Sequence, residues 1–435
     1  MSSQSSSWTP NITLTPFRQV EKHFKNRAIK GRLPSLRKYP VVDHSRPEKV
    51  EDDLLWLAGW WSPENDAAEM DPSARRRAKG KARALGERPG DIMQGSVRSI
   101  RLSSGKKGYV VADGCILIPG YLNQQQQLDL LEASLSKYTR PPNPLSLSTH
   151  YNLPPDLFER YESGSSELIY PIFDGLTSSE QDEVRAAAAS RDGQQALEGQ
   201  AGQDLGVEEI LNRQKAWKGD LPAEGLVPKT AEGLMGDLRW TNLGLVYKWT
   251  TKMYDLDPAA AIPFPSELAT QCRDMIREVD WREVCSDVEM ERTGAARWAE
   301  DYVPDTGIVN FYQMKDTMMG HVDRAELDPY RPLSSISLGH AAVFLLGSDS
   351  RDVAPRPIIL RSGDVILMSG SGRQRYHGVP RVLEGTLPSH FDPDETDNSS
   401  MKAAKRWIAT GRINVNARQV YPPGLKRNGE MRPGS

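Results

Sequence analysis

Along GRINVNARQV, residues 411 to 420, polar and apolar positions alternate: Arg412, Asn414, Asn416 and Arg418 share one parity, Ile413, Val415 and Ala417 the other. A period of two predicts a strand whose apolar side packs into a sheet. The polar side carries two guanidinium groups and two amides, which are costly to bury unless something of suitable charge faces them. The same texture fills 236–420, where LRWTNLGLVYKW, GIVNFYQM, SSISLG, AAVFLLG, RPIILRSG, DVILMSG and YHGVPRV are separated by glycine and proline at short intervals. Many short strands with regular turns predict an all-β sandwich or barrel. Helices are expected only at SELATQCRDMIREV and the KAAKRWIAT approach.

Upstream, GYVVADGCILIPGYLN (108–123) predicts paired short strands, and QQQQLDLLEASLSKY a helix burying Leu128, Leu130, Leu131 and Leu135. Residues 180–235, with AAAAS and EGQAGQDLG, predict a loop insertion flanking a short helix. Residues 62–108 are poor in aromatics and rich in Arg, Lys, Gly and Pro, the composition of a flexible connector. The first 33 residues are Ser-rich and basic with Glu21 as their one acid, which predicts a disordered tail with a short basic helix around FRQVEKHFKNR. The expected organisation is an extension over 1–107, largely flexible with a basic run; a helical and strand segment packing on the core over 108–235; the β core over 236–422; and a tail over 423–435.

Composition narrows the classes. A chain of 435 residues with 38% hydrophobic content can bury a sizeable core, so a pure linker is excluded. A formal net charge of −3 gives no global attraction to nucleic acid, so any such binding must come from local patches. One patch is ARRRAKGKAR (74–83), which reads as a solvated run, a nuclear import sequence or a grip on RNA. Cys115, Cys272 and Cys285 are odd in number and widely spaced, which fits reduced thiols better than a disulfide frame or zinc knuckle. No run approaches 18 apolar residues, and MSSQSSSWTP lacks an apolar leader core. An intracellular protein with no membrane partner is expected, in the nucleus or cytoplasm. The mitochondrion is a third compartment, since the basic N-terminus faintly resembles a transit peptide.

Chemistry enters at GHVD (320–323), where His321 and Asp323 lie two apart and project to one side of a strand, able to reach one metal ion. A lone His-x-Asp pair is more often an ordinary surface pair, so a third ligand is needed. His390 lies in the polar stretch PSHFDPDETDNSS and His340 opens a strand after a glycine turn; His377, in RQRYHGVPRV, is preferred. Two neutral imidazoles and one carboxylate on one face of a metal leave three positions open, as in non-haem Fe(II) oxygenases, whereas zinc hydrolases usually keep a single open position. That open face must hold O2 and an oxidisable co-substrate, commonly the dianion 2-oxoglutarate. Arg412 and Arg418, six apart on one strand face, suit its two carboxylates.

The ordered set Asn310 and Tyr312 of NFY, then His321, Asp323, His377, then Arg412, Asn414 and Arg418 as R-x-N-x-x-x-R, resembles the signature of the AlkB family of Fe(II)/2-oxoglutarate dioxygenases, which dealkylate nucleic acids. LRWTNLGLVYKW, IPFPSEL, HVDRAELD, SLGHAAVFLLG and SGDVILMSG resemble its eukaryotic homologue-one branch, with coverage from about 108 to 422 and densest from 236 onward. The resemblance implies an α+β fold with a mainly β core, a double-stranded β-helix (cupin-like jelly roll) with an N-terminal helical and strand extension. It implies that His321, Asp323 and His377 bind iron, and that Asn310, Tyr312, Arg412, Asn414 and Arg418 hold 2-oxoglutarate. Trp240 would stack on a flipped base whose other face His321 closes, with Tyr247 as a further substrate contact; Arg324 and Glu326 read either as pairs with neighbours at the rim or as substrate contacts. The implied reaction is oxidative demethylation of N1-methyladenine in tRNA or N6-methyladenine in DNA, coupling 2-oxoglutarate decarboxylation to methyl hydroxylation and formaldehyde release. The base must be flipped because its methyl group is unreachable in a stacked duplex. A 2-oxoglutarate oxygenase acting on a protein such as a histone is the alternative. Bacterial members carry an acid two residues after the metal Asp, where this chain has Ala325; Leu245 replaces a common second lid tyrosine, leaving Tyr247; and EGTLPSHFDPDETDNSSMKAAKR is expected as an inserted surface loop.

Overall fold

The structure, a computed structural model, describes residues 14–26, 41, 97–172, 179, 223, 225–248, 252–257 and 260–422. The basic run at 74–83, most of the 180–235 insertion and the tail from 423 lie outside the described residues.

Two antiparallel sheets face each other. The larger has the order β1 (Arg98–Arg101), β2 (Lys107–Ala112), β3 (Cys115–Ile118), β14 (Val365–Met368), β11 (Leu333–Gly339), β16 (Gly411–Arg418), β9 (Thr306–Gln313), β6 (Trp240–Gly244). The smaller runs β10 (Met318–His321), β15 (His377–Val382), β12 (Ala342–Leu346), β13 (Arg356–Leu360). Two short pairs complete the described strands, β4 (Leu168–Ile169) with β5 (Lys229–Thr230) and β7 (Tyr247–Lys248) with β8 (Met253–Tyr254).

The alternation along β16 divides the larger sheet. Register sets Ile413 beside Phe311 and Leu338, and Val415 beside Val309 and Ile336, so one face is continuously apolar. Helices Gln124–Glu132, Leu157–Glu162, Ala231–Asp237, Ser266–Arg277 and Ser399–Ile408 contribute Leu131, Phe158, Leu234, Met275 and Trp407 to the cluster covering it. The opposite face looks toward the smaller sheet and changes along its width. On β14 and β3, Ile366, Met368 and Leu117 meet Phe344, Leu346, Ile358 and Leu360 in a dry interior. On β11, β16 and β9 it is polar, with Ser335, Ser337, Asn414, Arg412, Asn310 and Tyr312 presented instead. The sandwich is therefore apolar at one side and open to chemistry at the other.

Three expectations need correction. The expected short helix is not part of a free tail, because α1 (Pro16–Lys25) docks on the outer face of the smaller sheet. Thr15 caps it through Arg18 N, and Phe17, Val20 and Phe24, spaced three and four apart, are 0%, 0% and 1% exposed against Val343, Leu345 and Ile359. Such burial stabilises by roughly 1.5–3 kcal/mol per side chain. The connector expected to run through 107 ends earlier, since β1 pairs with β2 from Arg98 onward. The expected surface loop after His377 is partly core: Phe391 is buried, and helix Ser399–Ile408, capped by Asn398 on Met401 N, buries Ala403, Ala404 and Ile408. Its Trp407 donates to Met235 O at 2.8 Å. Helices Asp287–Thr293 and Trp298–Asp301 were also not anticipated. Among the described residues, no helix is long and apolar enough to cross a membrane.

Candidate metal centre and co-substrate pocket

The β10–β15 pairing places His321 directly opposite His377, with ring centroids 4.4 Å apart. Asp323 follows β10 and turns back between them, Oδ1 lying 3.9 Å from His321 Nε2 and Oδ2 3.8 Å from His377 Nε2. One atom from each of the three lies within 4.8 Å of the others, a spacing that one metal ion can bridge. His321 Nδ1 is 2.9 Å from Met319 O, and His377 Nδ1 is 3.1 Å from Arg375 O. A carbonyl only accepts, so each Nδ1 carries the proton and each Nε2 turns a lone pair to the shared centre. Burial, then the neighbouring His321, pushes His377 down to about 4, leaving a neutral imidazole at physiological pH. For Asp323 burial acts upward, but the Arg418 guanidinium, the two imidazoles and Arg373 together hold the carboxyl well below the usual range.

The cationic residues divide into two kinds. Arg418 is neutralised inside the protein: its Nη1 lies 2.9 Å from Glu326 Oε1 and 3.2 Å from Asp323 Oδ2. Arg373 Nη2 lies 2.9 Å from the other Glu326 oxygen, an ionic contact whose angle does not make it a hydrogen bond. Arg412, 1% exposed, has no carboxylate partner of this kind among the described residues. It donates to His340 O at 2.9 Å and Ser337 Oγ at 2.8 Å, and its Nε has no acceptor. Burial pushes it down to about 10. A buried guanidinium held by neutral acceptors with an orphaned N–H suits an anionic ligand. Asn414 Nδ2 is fixed by Ser335 Oγ at 2.9 Å and Ile336 O at 3.0 Å, and Tyr312 OH donates to Met318 Sδ at 3.7 Å.

A cavity of about 540 Å³ opens onto this centre, with His321, Asp323, Asn310, Arg418, Tyr247 and Tyr254 among its walls. Tyr247 and Tyr254 meet edge to face at 5.3 Å. The structure thus gathers all three expected ligands with Asn310 and Arg418, and puts Tyr312, Arg412 and Asn414 on the same interior face. Arg324 is exposed at the cavity, as a rim residue should be. Glu326, expected beside it at the rim, also lines the cavity but is 0% exposed and paired with two guanidiniums, so it acts as an internal anchor. Trp240 pairs with Asn310 in register and shares its face, yet does not line the cavity. His340 bonds Ala409 O at 3.0 Å and His390 bonds Gln127 Oε1 at 3.1 Å, so neither joins the centre. Sequence reasoning missed Arg373 and Tyr254. The arginine's position four before His377 gave no hint of its partner, and nothing in the local sequence marks Tyr254 as a cavity wall.

A model of the 2OG-Fe(II) oxygenase superfamily matches residues 195–418. The chain is 28% identical over 315 residues to the tRNA demethylase abh1 of Schizosaccharomyces pombe, covering 72% of this chain and 80% of that protein. It is 29% identical over 314 residues to the DNA N(6)-methyladenine demethylase ALKBH1A of Arabidopsis thaliana, covering 71% and 75% respectively. The human nucleic acid dioxygenase ALKBH1 is 35% identical over 203 residues, 43% of this chain and 47% of that protein.

Proposed function

The chain belongs to the 2OG-Fe(II) oxygenase superfamily, whose chemistry needs Fe(II), 2-oxoglutarate and O2, and from that premise we propose that it oxidatively demethylates N-methylated nucleobases in nucleic acid. The substrate class is N1-methyladenine in tRNA or N6-methyladenine in DNA, the kinds of nucleic acid that the names of its yeast and plant relatives specify. One observation carries the reading: the sandwich encloses both a two-imidazole, one-carboxylate centre on the smaller sheet and, on the facing sheet, a buried guanidinium with no carboxylate partner among the described residues. We assign 98–422 to one double-stranded β-helix domain, with β1–β3 extending its larger sheet.

In this reading His321, Asp323 and His377 hold Fe(II), and the donor set fits that metal because two neutral nitrogens and one ionised oxygen leave three positions open. Bound iron supplies the O2 chemistry that couples decarboxylation of 2-oxoglutarate to hydroxylation of the methyl group. Arg412, with Tyr312 beside it in register, takes one carboxylate of the dianion; Arg418, whose Nη1 is already paired with Glu326 and Asp323, offers its other N–H groups to the second, with Asn310 and Asn414 orienting it. The Nδ1–H···O=C bonds keep both imidazoles aimed and select the tautomer with its lone pair on Nε2, while Arg418 keeps Asp323 ionised. Tyr247 and Tyr254 wall the cavity where a flipped base would lie, and Arg324 stands at its mouth near the phosphates. The hydroxylated methyl then leaves as formaldehyde, restoring the base.

The test is iron-dependent succinate release with matched methylated tRNA, DNA and histone peptides. Stimulation by methylated nucleic acid and not by peptide is expected, and loss of release in His321→Ala, Asp323→Ala and His377→Ala but not in His340→Ala. A peptide-specific response would replace the nucleobase with a protein substrate. Iron retained in His377→Ala would remove the assigned third ligand.

A further inference from the structure

Helix α1 touches the residue before each histidine of the centre. Glu21, 3% exposed, accepts a hydrogen bond from Gly320 N at 3.1 Å through Oε1, while Oε2 pairs with Arg18. Gly320 immediately precedes His321 in β10, the outer strand of its sheet. Its amide is thus taken by a carboxylate from α1, and its carbonyl accepts from Arg351 Nη2 at 2.9 Å. Arg351 is itself tied to the helix, its carbonyl accepting from Phe17 N at 3.0 Å. The approach is close enough to demand glycine: a Cβ on residue 320 would stand 2.2 Å from Phe17 Cε1. On the other strand, Phe17 packs on Tyr376, ring centroids 6.1 Å apart, and Tyr376 immediately precedes His377. The Arg351 guanidinium covers the Tyr376 ring at 4.7 Å.

The β10–β15 register is irregular between Met318 and His321, so the ladder alone does not fix the backbone that aims His321. We propose that α1 is an intramolecular strut setting the relative position of the two histidine ligands, and that Glu21 is the positioning residue for His321. Three hundred residues of sequence separate Glu21 from the strand it holds. The acceptor oxygen is the active feature. The Arg18 pair neutralises the buried carboxylate, whereas the Gly320 N–H bond holds the strand. An amide oxygen at position 21 therefore does the same work, and a methyl group does not.

This inference rests on the proposed metal site, and the experiment separates the two. Co(II) is titrated into full-length wild-type chain and into the Glu21→Ala, Glu21→Gln and His321→Ala variants, reading visible absorption and Kd, with Tm measured on the metal-free proteins. Glu21→Ala is expected to weaken Co(II) binding about 10-fold and to shift its absorption bands, in the range known for partners that orient metal ligands. Glu21→Gln is expected to bind and absorb as wild type does. Amide exchange of metal-free wild-type and Glu21→Gln protein should show Gly320 protected to the same degree as the amides of α1.

Failure of wild type to bind Co(II), or undiminished binding by His321→Ala, overturns the metal site itself. With those two behaving as expected, a Glu21→Ala protein with wild-type affinity and spectrum overturns the strut. Should Glu21→Ala not fold, a folded Glu21→Gln protein that binds Co(II) weakly, or a Gly320 amide that exchanges as freely as an exposed one, overturns it equally.

Discussion

Glu326→Ala removes the carboxylate that pairs with both Arg373 and Arg418. Each contact is 2.9 Å long, and at an effective dielectric of about 20 each is worth about 6 kcal/mol of gross attraction. Desolvation of the three groups offsets most of this, because removing each ion from water costs several kcal/mol. The variant keeps the desolvation of two guanidiniums, 1% and 3% exposed, and loses the carboxylate they share. The expected loss is about 3–5 kcal/mol, the cost of breaking a buried pair from one side. With a urea slope of about 3 kcal/mol/M, the unfolding midpoint falls by at least about 1 M. Asp323 alone would then face Arg418, 3.2 Å away. The double variant Glu326→Leu with Arg373→Met takes out one anion and one cation together, and should recover most of the loss. A midpoint within about 0.3 M of wild type for Glu326→Ala, or a cycle showing no coupling between residues 326 and 373, would refute the anchor assigned to this carboxylate.

Arg412→Ala should raise the 2-oxoglutarate concentration needed for half-maximal succinate release by over about 100-fold, leaving nucleic-acid affinity unchanged, and Arg412→Lys should not restore it because the forked contact is lost; equal KM values in wild type and Arg412→Ala would place the carboxylate elsewhere. Tyr247→Ala, at a cavity wall, should cut nucleic-acid demethylation by about 10-fold while substrate-free 2-oxoglutarate turnover persists, and Trp240→Ala should have the smaller effect; the reverse order, measured by product mass spectrometry, would restore the tryptophan as stacking partner. Burial pushes Cys115, Cys272 and Cys285 each up to about 12, so the thiolate needed for attack is scarce at pH 8 and an aromatic disulfide reagent should label no thiol rapidly in the native protein and three after denaturation; one fast thiol under native conditions would contradict that burial.

Much of the site was legible because its residues obey local periods. The two-residue spacing of His321 and Asp323, and the alternation Arg412, Asn414, Arg418 against Ile413, Val415, Ala417, are properties of a strand and survive folding unchanged. What resisted reading depends on partners remote in sequence. The helix around FRQVEKHFKNR was expected, but its docking was not: Lys22, His23 and Lys25 pointed to a solvated segment, although Phe17, Val20 and Phe24 form one buried stripe. β1 is RSIR, where only Ile100 is buried, and its strand character comes from pairing with β2. Glu326 looked like a rim residue because nothing near it in the chain reveals that Arg373 and Arg418 converge on it. Trp240 was placed by resemblance on a face that the register supports, but the cavity wall is supplied by Tyr247 and Tyr254.

The position of β16 has a consequence for synthesis. It is the last of the described strands, yet it lies between β11 and β9, so the larger sheet is two separate pieces until residues 411 to 418 join them. A ribosome that has released everything through His377 has made all three ligands but neither Arg412 nor Arg418, and the free edges of β9 and β11 stand open for unintended pairing. Binding of the co-substrate therefore waits until residues 411 to 418 have been made, and a messenger truncated just short of that strand yields a chain with its metal ligands, an interrupted sheet and neither Arg412 nor Arg418 for the dianion.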